Sequence, residues 1–147
     1  MAPRLAPEPS LGLPPTRFGE RSEAWTKLPG PGSGLTVAGV HFHLHGYRAD
    51  DRVSMLAAAI ELTGVLRQQE HRPDFIDIGG GVPISYLDDG SEWEAFWQAH
   101  RSSLERGDES ITWKNRPLNS VYPFHQRPVR GEWLSGLLST TLGGASV

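Results

Sequence analysis

Three of the six histidines fall within five residues, His41-Phe42-His43-Leu44-His45, and this is the densest chemical signal in the 147-residue chain. Side chains alternate along a strand, so His41, His43 and, where the strand persists, His45 project to one face. Two chemistries suit such a row. Neutral imidazoles two residues apart can share a divalent cation, as in the His-x-His of barrel-type metallohydrolases. Alternatively, one ring packs flat on a planar cofactor. A third possibility has the histidines bonded to neighbouring strands and doing no chemistry.

A second constellation is Asp77-Ile78-Gly79-Gly80-Gly81. Three glycines in succession carry no Cβ, so backbone N–H groups can close around an anion such as a phosphate. The Gly-x-Gly-x-x-Gly that opens a helix in dinucleotide-binding folds is missing, and so is the Gly-Lys-Ser/Thr of a P-loop. Both nucleotide readings fall away. A glycine triplet is also, more simply, a tight exit from a strand.

Local sequence predicts the elements that must hold these groups. Residues 35–44 are rich in β-branched and aromatic side chains with apolar residues on both faces, which suits a buried parallel strand. Asp50 or Asp51 caps a proline-free helix running to about Glu70, with an apolar stripe of Val53, Leu56, Ala57, Ile60 and Gly64 widened by Leu62, Val65 and Leu66. After His71-Arg72-Pro73, a second short strand, residues 75–78, runs straight into the glycines. In a βαβ unit both strands end on the same side of the sheet, where α/β folds place ligands. A ring-stacking imidazole next to a phosphate cradle describes a pyridoxal phosphate site.

Ser91-Glu92-Trp93-Glu94 has the form of a capping box, and Trp93, Phe96, Trp97, His100 and Leu104 follow at helical spacing until Gly107. Strands alternating with helices predict a parallel α/β architecture. Seven of the twelve prolines lie in the first 31 residues, which predicts a largely irregular segment over 1–34. The βαβα core is expected over 35–109, and an irregular segment with a short helix over 110–147.

Composition narrows the function classes. With 14 basic and 17 acidic residues the net charge is −3, so no polyanion-binding surface and no nucleic-acid partner are expected. The lack of cysteine excludes a disulfide scaffold, a thiolate metal site and a cysteine nucleophile. No apolar run approaches the roughly 20 residues needed to cross a bilayer, and the proline-rich start lacks a signal-peptide h-region, so no membrane association and a cytoplasmic location are expected.

Gly39-Val40-His41-Phe42-His43-Leu44 resembles the Gly-Leu-His-x-His-Ile segment of fold-type III pyridoxal-phosphate enzymes. These are the diaminopimelate, ornithine and arginine decarboxylases with an alanine-racemase-like barrel. Residues 75–83, Phe75-Ile76-Asp77-Ile78-Gly79-Gly80-Gly81-Val82-Pro83, are similar to that family's Leu-Asp-Ile-Gly-Gly-Gly-Phe segment, with Tyr86 placed as in many members. Thr16-Arg17-Phe18-Gly19 is similar to its Ser-Lys-Phe-Gly. Ser85-Tyr86 and Pro128-Val129-Arg130-Gly131-Glu132-Trp133-Leu134 bring the chain closest to a poorly characterised decarboxylase-like branch. The likeness covers about residues 16–138.

The resemblance implies a pyridoxal phosphate cofactor, an amino-acid substrate and a homodimer. It implies that His43, flanked by His41 and His45, stacks on the pyridine ring, that Gly79, Gly80 and Gly81 hold the phosphate, and that Asp77 supports their loop. Where relatives carry Gly-Ser after the histidine strand, this chain has His45-Gly46, so His45 is the candidate replacement donor. The family's cofactor-linking lysine has no counterpart: the lysines are Lys27 and Lys114, neither in that motif. Its Glu-Pro-Gly-Arg segment and its C-terminal Cys-Asp pair are also missing. Because a complete barrel needs roughly 250 residues, the expected fold is a partial (β/α)8 barrel, incomplete at both ends, that binds cofactor but is inactive alone. A metal-dependent hydrolase fragment using the histidines, and a non-catalytic interaction module, are the alternatives.

Overall fold

The structure is a computed structural model that describes residues 1–108, 112–113, 116–117, 124–142 and 145–146. The chain divides into two units, Met1–Gly81 with Ser135–Val147, and Val82–Leu134. The division falls inside the stretch expected as a single βαβα core.

In the first unit a one-turn helix α1 (Ser22–Trp25) precedes β1 (Gly39–His41), α2 (Ala49–Gln68) and β2 (Phe75–Asp77). The two strands pair in parallel, with Gly39 opposite Phe75, Val40 opposite Ile76 and His41 opposite Asp77. Helix α2 is the crossover that parallel pairing requires. It starts at Ala49 with Arg48 as N-cap residue, so Asp50 and Asp51 lie in its first turn, where their charge opposes the positive end of the helix dipole.

Hydrophobic burial holds this unit together. Val37, Val40, Phe42 and Leu44 come from β1 and its flanks, and they meet Met55, Leu56, Ala59, Leu62 and Leu66 from α2. That buried set follows helical spacing, but it is rotated from the expected stripe: Ile60 is 43% exposed. Apolar residues lie on several sides of α2, so its sequence alone leaves the inward face undetermined. Ile60 faces an open groove of about 590 Å³ that it shares with Phe75, Ile78, Leu137 and Leu138.

The proline-rich start is more ordered than its composition predicts. His41 N–H donates to Pro3 O (2.9 Å), Leu5 N–H to His41 O (2.7 Å) and Ala38 N–H to Met1 O (2.8 Å). This segment therefore lies parallel beside β1, and Leu5 enters the core. Proline is tolerated because Pro3 contributes its carbonyl, the one backbone hydrogen-bonding group that it has.

The second unit is built on α3 (Gly90–Arg106). Asp89 caps it, accepting the Ser91 N–H at 2.9 Å, so the cap lies two residues before the expected Ser91. Trp93 stacks on Phe96 (centroids 5.2 Å, planes 7° apart) and Phe96 on the buried His100 (5.8 Å, 5°), which accounts for the aromatic spacing.

Beyond α3 the described strands are β3 (Thr112–Trp113) with β4 (Arg116–Pro117) and, after α4 (Arg130–Leu138), β5 (Thr141–Leu142) with β6 (Ala145–Ser146). Both pairs are antiparallel hairpins. Among the described residues β1 and β2 are thus the only parallel pair of strands, each three residues long, and no further βα unit follows. The partial (β/α)8 barrel, and with it the alanine-racemase-like barrel, is therefore corrected to a small α/β arrangement. Closure of a barrel needs a series of tilted, staggered strands, and two short ones cannot begin it. No helix among the described residues is long and apolar enough to cross a membrane.

Candidate functional site

The assigned strand β1 ends at His41, but Phe42 N–H still donates to Asp77 O (3.0 Å), and Phe42 and Leu44 are buried while His43 and His45 are exposed, so the alternation persists to His45. The groups nearest to the three imidazoles nevertheless differ. His41 Nδ1 lies 3.0 Å from Asp77 Oδ2, its register partner on β2. The other oxygen of that carboxylate, Oδ1, accepts the Gly79 N–H at 2.8 Å. Asp77 therefore ties the end of β1 to the start of the glycine loop.

His43, exposed just past the strand, lies against that loop. Gly80 N–H points at His43 Nδ1 across 3.4 Å, a long and weak contact. Two of the three loop positions require glycine. Gly79 has φ +73°, and a Cβ on it would sit 2.6 Å from Phe42 O and 2.9 Å from His43 Nδ1. Gly81 has φ +87°, and its Cβ would sit 2.6 Å from Arg52 Nη2. Both the left-handed backbone and the close approach require glycine.

Arg52 is the residue that sequence reasoning missed. It lies in the first turns of α2, is 1% exposed, and its Nη2 donates to Gly80 O (2.8 Å) and Gly81 O (3.2 Å). Burial pulls its pKa below the usual guanidinium range, with Asp51 and Tyr47 opposing that shift; the group stays protonated. A buried cation thus fixes the loop's carbonyls. An arginine early in a helix, beside Asp50 and Asp51, reads as a solvated charge, and no local signal marks it as buried.

His45 lines a separate cavity of about 490 Å³ together with His43, Arg4, Arg17, Phe18 and Asp51. Among the described residues no group of three or more His, Asp or Glu side chains is placed to hold a metal ion. Lys27 is exposed, and Lys114 lies outside the described residues. Tyr86 belongs to the second unit and is 69% exposed.

The cofactor fit can be tested on these contacts. An imidazole stands against a loop that only glycine can form, and Arg52 holds the loop's carbonyls, which suits a planar ring next to an anion. One assignment changes. The Gly79 N–H is taken by Asp77, so a phosphate would take the Gly81 N–H and, in place of its long contact to His43 Nδ1, the Gly80 N–H.

The chain is similar to the uncharacterized protein y4yA of Sinorhizobium fredii (strain NBRC 101917 / NGR234), 32% identical over 148 residues that cover 100% of this chain and 30% of that protein. The chain thus spans 30% of the length of the curated relative it matches. No protein-family model matches it, and no solved structure does. The relative's name specifies neither a cofactor nor a reaction, and these matches give no support to the barrel or decarboxylase descriptions.

Proposed function

We propose that the first unit is a cofactor-holding portion of a pyridoxal-phosphate protein of the decarboxylase-like kind, acting on amino acids. The observation that carries this reading is the placement of His43 against Gly79–Gly81 by the parallel β1–β2 pair. His43 would cover one face of the ring, and the N–H groups of Gly80 and Gly81 would take the phosphate. Bound there, the cofactor supplies an electron sink for cleaving a bond at the Cα of an amino acid.

The chain's own residues do the positioning. Arg52 holds two loop carbonyls from behind, and Asp77 holds the Gly79 N–H. The Asp77 carboxylate would repel a phosphate, and the Arg52 guanidinium, which holds the same loop, offsets that charge. Neither lysine lies in the family's cofactor-linking motif, so binding by this chain is noncovalent. A cytoplasmic location accords with this reading.

The test is a titration of the chain with pyridoxal phosphate, followed by visible absorbance and tryptophan quenching, with unphosphorylated pyridoxal in parallel. Saturable binding that needs the phosphate and is lost in His43→Ala is the expected result. A linear response, or equal affinity in His43→Ala, overturns it.

A second reading, a protein-interaction role, has one specific observation in its favour. Ile60 (43% exposed), Phe75 (50%) and Leu138 (46%) line an open apolar groove. Most of the curated relative's length lies beyond this chain, and further polypeptide could cover such a face. Sedimentation velocity tests it: concentration-dependent self-association that Phe75→Ser abolishes supports an interface, and a monomer at all concentrations counts against it.

A further inference from the structure

We infer that the cavity bounded by Arg4, Arg17, Phe18, His43 and His45 is a second anion site, taking the oxyanion of a small organic ligand, a carboxylate or a phosphate. It lies beyond the glycine loop and rests on different residues, with His43 common to both. At about 490 Å³ it has the size of a small-molecule site.

Its charge is one-sided. Arg4 Cζ lies 5.2 Å and Arg17 Cζ 4.9 Å from the centroid of the same Phe18 ring, so one aromatic face system gathers two guanidinium groups. Neither arginine takes part in an ion pair among the described residues. The carboxylate on the cavity wall, Asp51, is already engaged by Arg48 Nε at 3.4 Å. An oxyanion in the cavity would be attracted by both guanidinium groups, which line its wall with the Phe18 ring. Guanidinium groups match carboxylate and phosphate with paired N–H donors.

The backbone that carries the arginines is also fixed. Arg4 O accepts from Glu20 N–H (3.0 Å) and from Trp25 Nε1 (3.0 Å). Thr16 Oγ1 accepts the Phe18 N–H at 3.1 Å, a tight turn with Arg17 at its centre. Such fixing lowers the ordering cost of binding. Leu13 and the Pro14-Pro15 pair supply apolar wall for the body of an organic ligand.

The test is calorimetric titration of the full chain, at constant ionic strength, with malonate as the carboxylate probe and inorganic phosphate as the tetrahedral one. Wild type should bind one of them saturably, and the tighter probe identifies the source. Arg17→Gln, at an exposed position, should weaken that binding roughly tenfold or more, with Arg17→Lys in between. Arg72→Gln, at an exposed position outside the cavity lining, should leave it unchanged. Should Arg4→Gln fail to fold, Arg17→Gln, with its circular dichroism matched to wild type, carries the test. Absence of saturable binding for both probes overturns the proposal, as does unchanged affinity in Arg17→Gln. Loss in Gly81→Ala with none in Arg17→Gln assigns the anion to the glycine loop instead, and so separates this site from the proposed cofactor site.

Discussion

His41 Nδ1 and Asp77 Oδ2 are 3.0 Å apart across the β1–β2 register, and the second oxygen of the same carboxylate accepts the Gly79 N–H. One side chain therefore couples strand pairing to the conformation of the glycine loop. The Asp77 side chain is 57% exposed, so solvent screens the pair. At a pH where the imidazole is protonated, a double-mutant cycle of His41→Ala and Asp77→Ala should give a coupling energy of about 0.2–1 kcal/mol, falling as salt is added. Urea unfolding at two ionic strengths measures it, and a coupling unaffected by salt would contradict the screened-pair reading.

The inward face of α2 is checked by two truncations. Leu62 is 2% exposed within the core, and Leu62→Ala should cost about 2–5 kcal/mol. Ile60, 43% exposed on the groove side, should cost no more than about 0.5 kcal/mol as alanine. Equal losses in chemical denaturation would mean that Ile60 is as buried as the sequence periodicity predicts.

These two residues illustrate what was legible before the structure. The existence of α2 and its place between two parallel strands follow from helix formers between β-rich segments, and the order of those elements is as read. The rotation of α2 is not local information, because apolar residues lie on several sides of the helix and no single face stands out. The histidine row keeps the alternation that the sequence predicts, with Phe42 and Leu44 buried and His43 and His45 exposed, but what each imidazole meets is long-range information: Asp77 for His41, the glycine loop for His43, and a cavity that His43 and His45 share. Pro3 marked its segment as irregular, yet long-range hydrogen bonds from β1 hold it in place. The barrel was an extrapolation from motif likeness, and no local pattern in residues 110–147 supplied the parallel strands that it needs.

Acid should loosen α3 through its cap. The Ser91 N–H and side chain, with a smaller contribution from His125, hold Asp89 below its ordinary value of 3.8. A carboxylate with a depressed folded-state pKa stabilises above its unfolded pKa, and that contribution is lost as pH falls through the folded value. Wild type should therefore lose part of its α3 helicity, read by circular dichroism, as pH drops below the ordinary carboxylate range. Asp89→Asn, which keeps a capping oxygen but cannot titrate, should lack that component. A pH profile shared by the two proteins would remove Asp89 as its source.

Arg52 should matter to stability and to anion binding in separable ways. It is buried and donates to two carbonyls 28 and 29 residues away, so Arg52→Met removes two charge-assisted hydrogen bonds from the glycine loop. A loss of about 2–4 kcal/mol in urea unfolding is expected. Arg52→Lys keeps the charge but not the fork of donors, and should recover part of that loss. Below the unfolding transition, the folded Arg52→Lys protein should still bind pyridoxal phosphate more weakly than wild type, because the Gly80 and Gly81 N–H groups are no longer held in position. Were Arg52 only a structural anchor, affinity measured on the folded fraction would match wild type while stability alone dropped.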